Sequence, residues 1–330
     1  MEGYKAPQRD AMFVTHELLD YQRHYQALGF DEASEDLVSA IFAEAAKFSE
    51  NTLAPINQSG DEEGCTWNDG NVTTPKGFKE AYHTYVEGGW PSMAHPEEFG
   101  GQQLPYSLAS IIAEWFSGAN HSWAMYPGLS QGCMETLKAH GTEQQQTMFL
   151  PKLISGEWTG TMCLTEAHCG SDLGMLKCRA EPQDDGTYSL TGTKIFISAG
   201  EHDMSENIVH IVLARLPGAP EGTKGISLFV VPKFNVSDDG EKQDRNAVTC
   251  GSIEHKMGIK ASATCVINFD GATGYLIGPP NRGLNCMFTF MNTARIGTGL
   301  EGLAASEAAF QGALRYAKDR VQFRSLTDKI

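Results

Sequence analysis

The spacing of apolar residues changes twice along the chain. Up to about residue 155 it follows a helical period. Leu37, Ile41, Ala45 and Phe48 return on one face, and Pro55 is expected to stop that helix. Ser34 is followed three residues later by Leu37, so no capping box opens it. Residues 56–76, rich in Gly, Asn, Asp and Thr, predict a loop. Phe78, Tyr82 and Tyr85 mark a short helix closed by Gly88-Gly89, and residues 91–105 predict a second loop. Leu108 to Ala119 and Trp123 to His140 are apolar or small on nearly all sides, the pattern of helices buried in a bundle. Gly141 is a C-cap candidate, and Thr142 can N-cap the next helix.

From about Trp158 the pattern becomes strand-like. The runs TGTMCLT, TYSLTG, KIFIS, IVHIVLAR, GISLFVV and ATCVINF are separated by turn signals, among them Asp184-Asp185-Gly186. They predict a small antiparallel barrel or sandwich, with residues 234–248 as an exposed polar loop. After Pro279-Pro280 the helical period returns, from Leu284 to Phe323. The fold class is α+β in three parts: a helical domain (1–157), a middle β domain (158–280) and the start of a second helical domain (281–330).

Within the last helix, Gly297 to Gly302 spells G-x-G-x-x-G. A dinucleotide fingerprint needs a strand before it and a parallel strand after it, and Met291 to Arg295 reads as helix instead. Three glycines inside a helix each cost about 1 kcal/mol relative to Ala and so need a reason. Close helix approach would supply one; room for an acyl chain against bare backbone would supply another.

A formal charge of -16 opposes binding to nucleic acid or an anionic membrane surface. The polar start lacks a secretory apolar core, and no run approaches a membrane span, so a cytoplasmic protein is expected. The eight cysteines form no C-x-x-C pair and predict buried, reduced thiols rather than a metal site.

Two segments carry chemistry. MCLTEAHCGSD, Met162 to Asp172, is an apolar run opening into a Gly/Ser turn; KIFIS, Lys194 to Ser198, is β-prone and ends in a hydroxyl. A strand ending in Thr165 beside such a turn offers N–H groups and hydroxyls to a heterocycle rich in acceptors. MCLTEAHCGSD resembles the flavin-binding signature of acyl-CoA dehydrogenases, and KIFIS their second flavin segment. The resemblance spans nearly the whole chain. It is strongest to the larger bacterial members, of the methylmercaptopropionyl-CoA dehydrogenase type, whose chains run well beyond 330 residues.

The resemblance implies FAD as cofactor. It assigns Met162, Leu164, Thr165, Gly170, Ser171, Phe196, Ile197 and Ser198 to the flavin, with Ser171 also meeting the acyl-CoA. His168 and Cys169 are read as turn residues. Asn292 and Arg295, three apart on one helix face, resemble the family's acyl-CoA contact. Tyr316 to Phe323, YAKDRVQF, resembles the segment that reaches a neighbouring subunit's flavin nucleotide. That implies Arg320, Gln322 and Phe323 as cofactor contacts across a homodimer or homotetramer. Arg324 stands where the family usually has glycine.

The implied reaction is α,β-dehydrogenation of an acyl-CoA to trans-2-enoyl-CoA, with electrons passed to an electron-transferring flavoprotein. Rival readings on the same motifs are an acyl-CoA oxidase or flavin monooxygenase, and a truncated flavoprotein that binds FAD without turnover. No catalytic base is expected within the chain. The family places that glutamate either in the later helical bundle, beyond Ile330, or immediately before the arginine matching Arg295, where Ala294 stands. No resident metal is expected.

Overall fold

The computed structural model describes residues 3–323 and 327. Short helices α1 (Gln8–Met12) and α2 (Tyr21–Ala27) precede α3 (Glu35–Phe48). Ser34 caps α3 alone, its hydroxyl accepting from Leu37 N at 3.3 Å. Pro55 does not stop the helical path. The chain passes through a π turn (Ser49–Leu53) and a 3-10 turn (Ala54–Ile56) into α4 (Asn57–Glu63). Proline is tolerated in the first turn of a helical segment because its missing N–H has no partner to lose there. The expected loop at 56–76 therefore holds α4 and a small hairpin, β1 (Thr66–Asn68) with β2 (Asn71–Thr73).

Helices α5 (Phe78–Glu87), α6 (Tyr106–Ala119), α7 (His121–His140) and α8 (Glu143–Ser155) complete the N-terminal layer. Thr142 caps α8 in a full capping box with Gln145. Gly141 ends α7 in an extended rather than left-handed conformation. Phe48, Tyr85, Phe116 and Trp123 meet edge to face between these helices.

The β region is β3 (Trp158–Cys163), β4 (Arg179–Pro182), β5 (Tyr188–Ser198), β6 (Asn207–Arg215), β7 (Ile226–Pro232), β10 (Val248–Ile253) and β11 (Thr264–Ile277), with an exposed hairpin of β8 (Phe234–Val236) and β9 (Lys242–Arg245) in the expected loop at 234–248. β5 pairs with β4 and β11, β11 with β7, β7 with β6, and β6 touches β4. The sheet thus closes on itself, which removes most free edges. It is not purely antiparallel: β3 runs parallel to β6 along its whole length. All of β7 and nearly all of β6 are buried, as strands covered on both faces require.

A single helix, α9 (Gly283–Asp319), returns across the helical layer and ends before Phe323. Gly283 starts it against β7, where an added Cβ would lie 2.3 Å from the Ser227 carbonyl carbon. The glycine-rich hexad lies wholly inside α9, so the dinucleotide reading is excluded by the fold.

Candidate active site

The two motif segments meet at one junction. Ile195 N donates to Thr165 O at 2.9 Å, joining β5 to the chain leaving β3. Lys194, fully buried, donates from Nζ to Leu164 O and to Glu166 Oε1, both at 2.9 Å. Glu166 also accepts from Lys177 N at 2.7 Å and Cys178 N at 3.0 Å. Burial alone would raise the Glu166 pKa, but Lys194 and these N–H donors outweigh it and hold the carboxyl below its usual range. The partnership of Glu166 with the lysine that opens KIFIS has no mark in the sequence, since the two stand 28 residues apart.

Glu166, His168 and Cys169 bring potential ligand atoms within 4.8 Å of one another. Both Glu166 oxygens already accept hydrogen bonds, and the Lys194 cation beside them opposes a metal ion. Burial pushes the Cys163 thiol up to about 12 and the Cys178 thiol to about 11, as expected of inert thiols. The same effect lowers His202 and His210 to about 3, so both are neutral core groups.

Around this junction Met162, Leu164 and Thr165 are half-buried, and Gly170 and Ser171 are exposed. Phe196 is 59% exposed and has φ +60°, in the left-handed region that a bulky residue avoids. The cause is a bulge. Lys194 pairs with Ile267 and Ile197 with Cys265, so Ile195 and Phe196 together face Val266. The bulge turns the Phe196 ring out of the sheet. Ile197 returns to the core, 2% exposed, so its side chain cannot face a ligand from the surface. Ser198 is half-buried and pairs with Thr264.

On α9, Arg295 donates to Asn292 Oδ1 at 3.0 Å and stacks over the Phe288 ring. Both polar residues are exposed, as expected of a pair on one helix face. Beside them a cavity of about 240 Å³ opens between α6, α7 and α9. Its walls are mostly apolar and include Tyr85, Phe116, Met125 and Trp158. Gly297 and Gly128 line it from opposite helices, and an added Cβ at either would meet nothing within 4 Å. Close approach therefore does not explain Gly297, nor Gly299 and Gly302, where an added Cβ also meets nothing; of the three only Gly297 borders the cavity. Close approach does hold at Gly132, where a Cβ would lie 2.3 Å from the Phe290 ring. Ala294 also lines the cavity and brings no acid.

Arg320, Gln322 and Phe323 are exposed at and beyond the end of α9. Arg320 lies 25 residues past Arg295, roughly 37 Å along the helix, so one subunit does not bring these two sets together.

Residues 36–157 match the acyl-CoA dehydrogenase N-terminal domain, and residues 161–272 match the acyl-CoA dehydrogenase middle domain. The chain belongs to the acyl-CoA dehydrogenase family. It is 46% identical over 321 residues to 3-methylmercaptopropionyl-CoA dehydrogenase of Ruegeria pomeroyi, across 97% of this chain and 55% of that protein. Butyryl-CoA dehydrogenase from Megasphaera elsdenii superposes with a TM-score of 0.74 at 26% identity, covering 88% of this chain and 71% of that one. An acyl-CoA dehydrogenase from Bacillus anthracis, solved in complex with FAD, superposes at 0.72 with 26% identity, covering 89% and 46%. The chain spans about half the length of the curated relatives it matches. The local features that the site offers are the bulge at Phe196, the buried Lys194–Glu166 pair and the open cavity bordered by Gly297 and Gly128. No helix among the described residues is long and apolar enough to cross a membrane.

Proposed function

We propose that this chain is the flavin- and acyl-binding part of an FAD-dependent acyl-CoA dehydrogenase, divided at residues 157 and 280. The observation that carries the reading is the convergence of the Thr165 turn and the Phe196 bulge on one junction. Strain at an exposed aromatic residue is the kind of cost that persists at binding sites. Thr165, Ser171 and Ser198 supply hydroxyls and Met162 and Leu164 backbone groups, with Phe196 as an apolar wall that keeps water from one face. Such a set fits a planar, acceptor-rich ring system, and FAD bound there would supply the hydride acceptor.

Ile197 contributes backbone only. Arg295, held by Asn292, contacts the acyl-CoA, with Ser171 as a second contact. The cavity takes the acyl chain, which loses its α-proton and β-hydride to become a trans-2-enoyl-CoA. The carboxylate that takes the α-proton lies outside residues 1–330, since Ala294 offers none. Electrons leave to an electron-transferring flavoprotein, in a cytoplasmic homodimer or homotetramer in which Arg320, Gln322 and Phe323 reach the neighbour's nucleotide. By similarity to the Ruegeria pomeroyi relative, a 3-methylmercaptopropionyl thioester is the first substrate to try.

The test is optical. Purified protein should carry flavin absorbance, or gain it on adding FAD, and the FAD-loaded full-length protein should bleach when an acyl-CoA is added without oxygen. A protein that stays colourless with FAD present overturns the reading. Bleaching of residues 1–330 as fast as the longer protein would place the base within them.

A further inference from the structure

Among the described residues lining the cavity between α6, α7 and α9, Glu301 is the sole charged one. It projects from the same helix as Ala294 and Gly297, seven residues beyond Ala294. At a rise of 1.5 Å per residue that is roughly 10 Å further along the wall. Its carboxylate faces His121, the first residue of α7, with Oε2 and Nε2 3.8 Å apart. That separation is too long for a hydrogen bond. The two side chains are 29% and 34% exposed, so water completes the solvation of this carboxylate.

We propose that Glu301 is the specificity-determining stop of the acyl cavity, restricting substrates to acyl chains that end short of it. This rests on the acyl-CoA reading above. The CoA end of the ligand is fixed near Asn292 and Arg295, so the acyl tail runs past Ala294 and the bare backbone of Gly297 toward Glu301. Up to that point each added methylene gains apolar contact. A tail reaching Glu301 would strip water from a carboxylate whose one ion-pair partner among the described residues is a histidine, charged only when protonated. Removing solvent from an incompletely paired charge is costly. The open positions at Gly297 and Gly128 leave room for a tail along the wall that leads to Glu301.

The test uses the full-length, FAD-loaded protein and S-alkyl-CoA thioethers, which lack the thioester carbonyl and cannot turn over. Calorimetry compares butyl-, octyl- and dodecyl-CoA on wild type, Glu301→Gln and Glu301→Leu. In wild type the affinity gain per methylene should end before dodecyl. Both variants should bind dodecyl-CoA at least tenfold more tightly than wild type and butyl-CoA within twofold. Each newly buried methylene contributes about fourfold, equivalent to about 0.8 kcal/mol. Glu301→Gln, nearly identical in volume, isolates charge from space. If it leaves the chain-length profile unchanged, the proposal is wrong. If it abolishes bleaching by butyryl-CoA while butyl-CoA still binds, Glu301 is the proton acceptor and the proposal is equally wrong. A wild-type protein that binds no alkyl-CoA at all removes the acyl-CoA reading itself.

Discussion

Replacing Lys194 with Met should be among the most damaging single changes in the β region. The lysine is fully buried and has two acceptors, the Leu164 carbonyl and the Glu166 carboxylate. Methionine fills much of the volume, so little of the effect comes from a cavity. What remains is Glu166, 5% exposed, keeping two backbone N–H donors and the His168 ring at 3.6 Å, charged only if protonated, and losing its lysine. Breaking a buried pair from one side costs about 3–5 kcal/mol, because the surviving charge is left uncompensated. The loss should fall as the medium is acidified, and the sign follows from Glu166. Its folded pKa lies below the ordinary carboxylate range, so the stability it contributes is present above that range and lost as pH falls through the folded value. In the variant a protonated Glu166 is no longer a buried charge, so the two proteins converge in acid. Urea unfolding of wild type and Lys194→Met at neutral and acidic pH measures this, with FAD titration alongside. The double variant Lys194→Met/Glu166→Gln should recover part of the loss. A neutral-pH difference below about 1 kcal/mol, comparable with an exposed pair, would refute the reasoning that the buried Lys194–Glu166 pair holds this junction together.

Other outcomes follow from single positions. Phe196→Gly should stabilise the FAD-free protein by about 1 kcal/mol, since glycine accepts φ +60° freely, while weakening FAD binding; thermal melts with and without FAD separate the two. Gly297→Leu should keep or slightly raise stability, by up to about 1 kcal/mol, because leucine is the better helix former. It should nevertheless lower acyl-CoA affinity at least tenfold by filling the cavity, as calorimetry would show. Gly132→Ala should do the reverse, destabilising the fold through the Phe290 ring 2.3 Å from the new Cβ. Thr142→Ala should cost about 1 kcal/mol in urea unfolding, with no effect on ligand affinity, because it removes only a helix cap.

The division into helices, strands and a final helix was legible because burial imposes period on each segment. The apolar faces of Leu37 to Phe48 and Leu108 to His140 have the same cause as their packing. The stretch after Pro55 was misread because proline marks a helix stop only where an N–H is needed, and the first turn of the 3-10 segment needs none. The parallel β3–β6 pairing was invisible because strand direction is set by tertiary connection, not by alternation. At the site, the motif residues could be named from local pattern. The bulge that exposes Phe196 and buries Ile197 could not, since it depends on register against β11, about 70 residues away. That Glu301 faces a cavity could not be read from the sequence, because a lone acid on a helix is ordinary until the helices on either side enclose it.

α9 is tied down at widely separated places. Gly283 seats its start on β7, Gly132 meets Phe290, and near its far end Gln311 exchanges two hydrogen bonds with the Lys5 backbone while Arg315 holds Gly3 O at 2.7 Å. A continuous helix fixed in this way is a stiff beam rather than a flexible strap. The wall carrying Ala294, Gly297 and Glu301 cannot bow locally without breaking the rod's own hydrogen-bond ladder. Any widening to admit cargo must therefore tilt the whole beam about its seat on β7. The tilt would be felt first at the N-terminal residues Gly3 to Lys5, where the Lys5 amide, which donates to Gln311, should lose hydrogen-exchange protection while the amides inside α9 keep theirs.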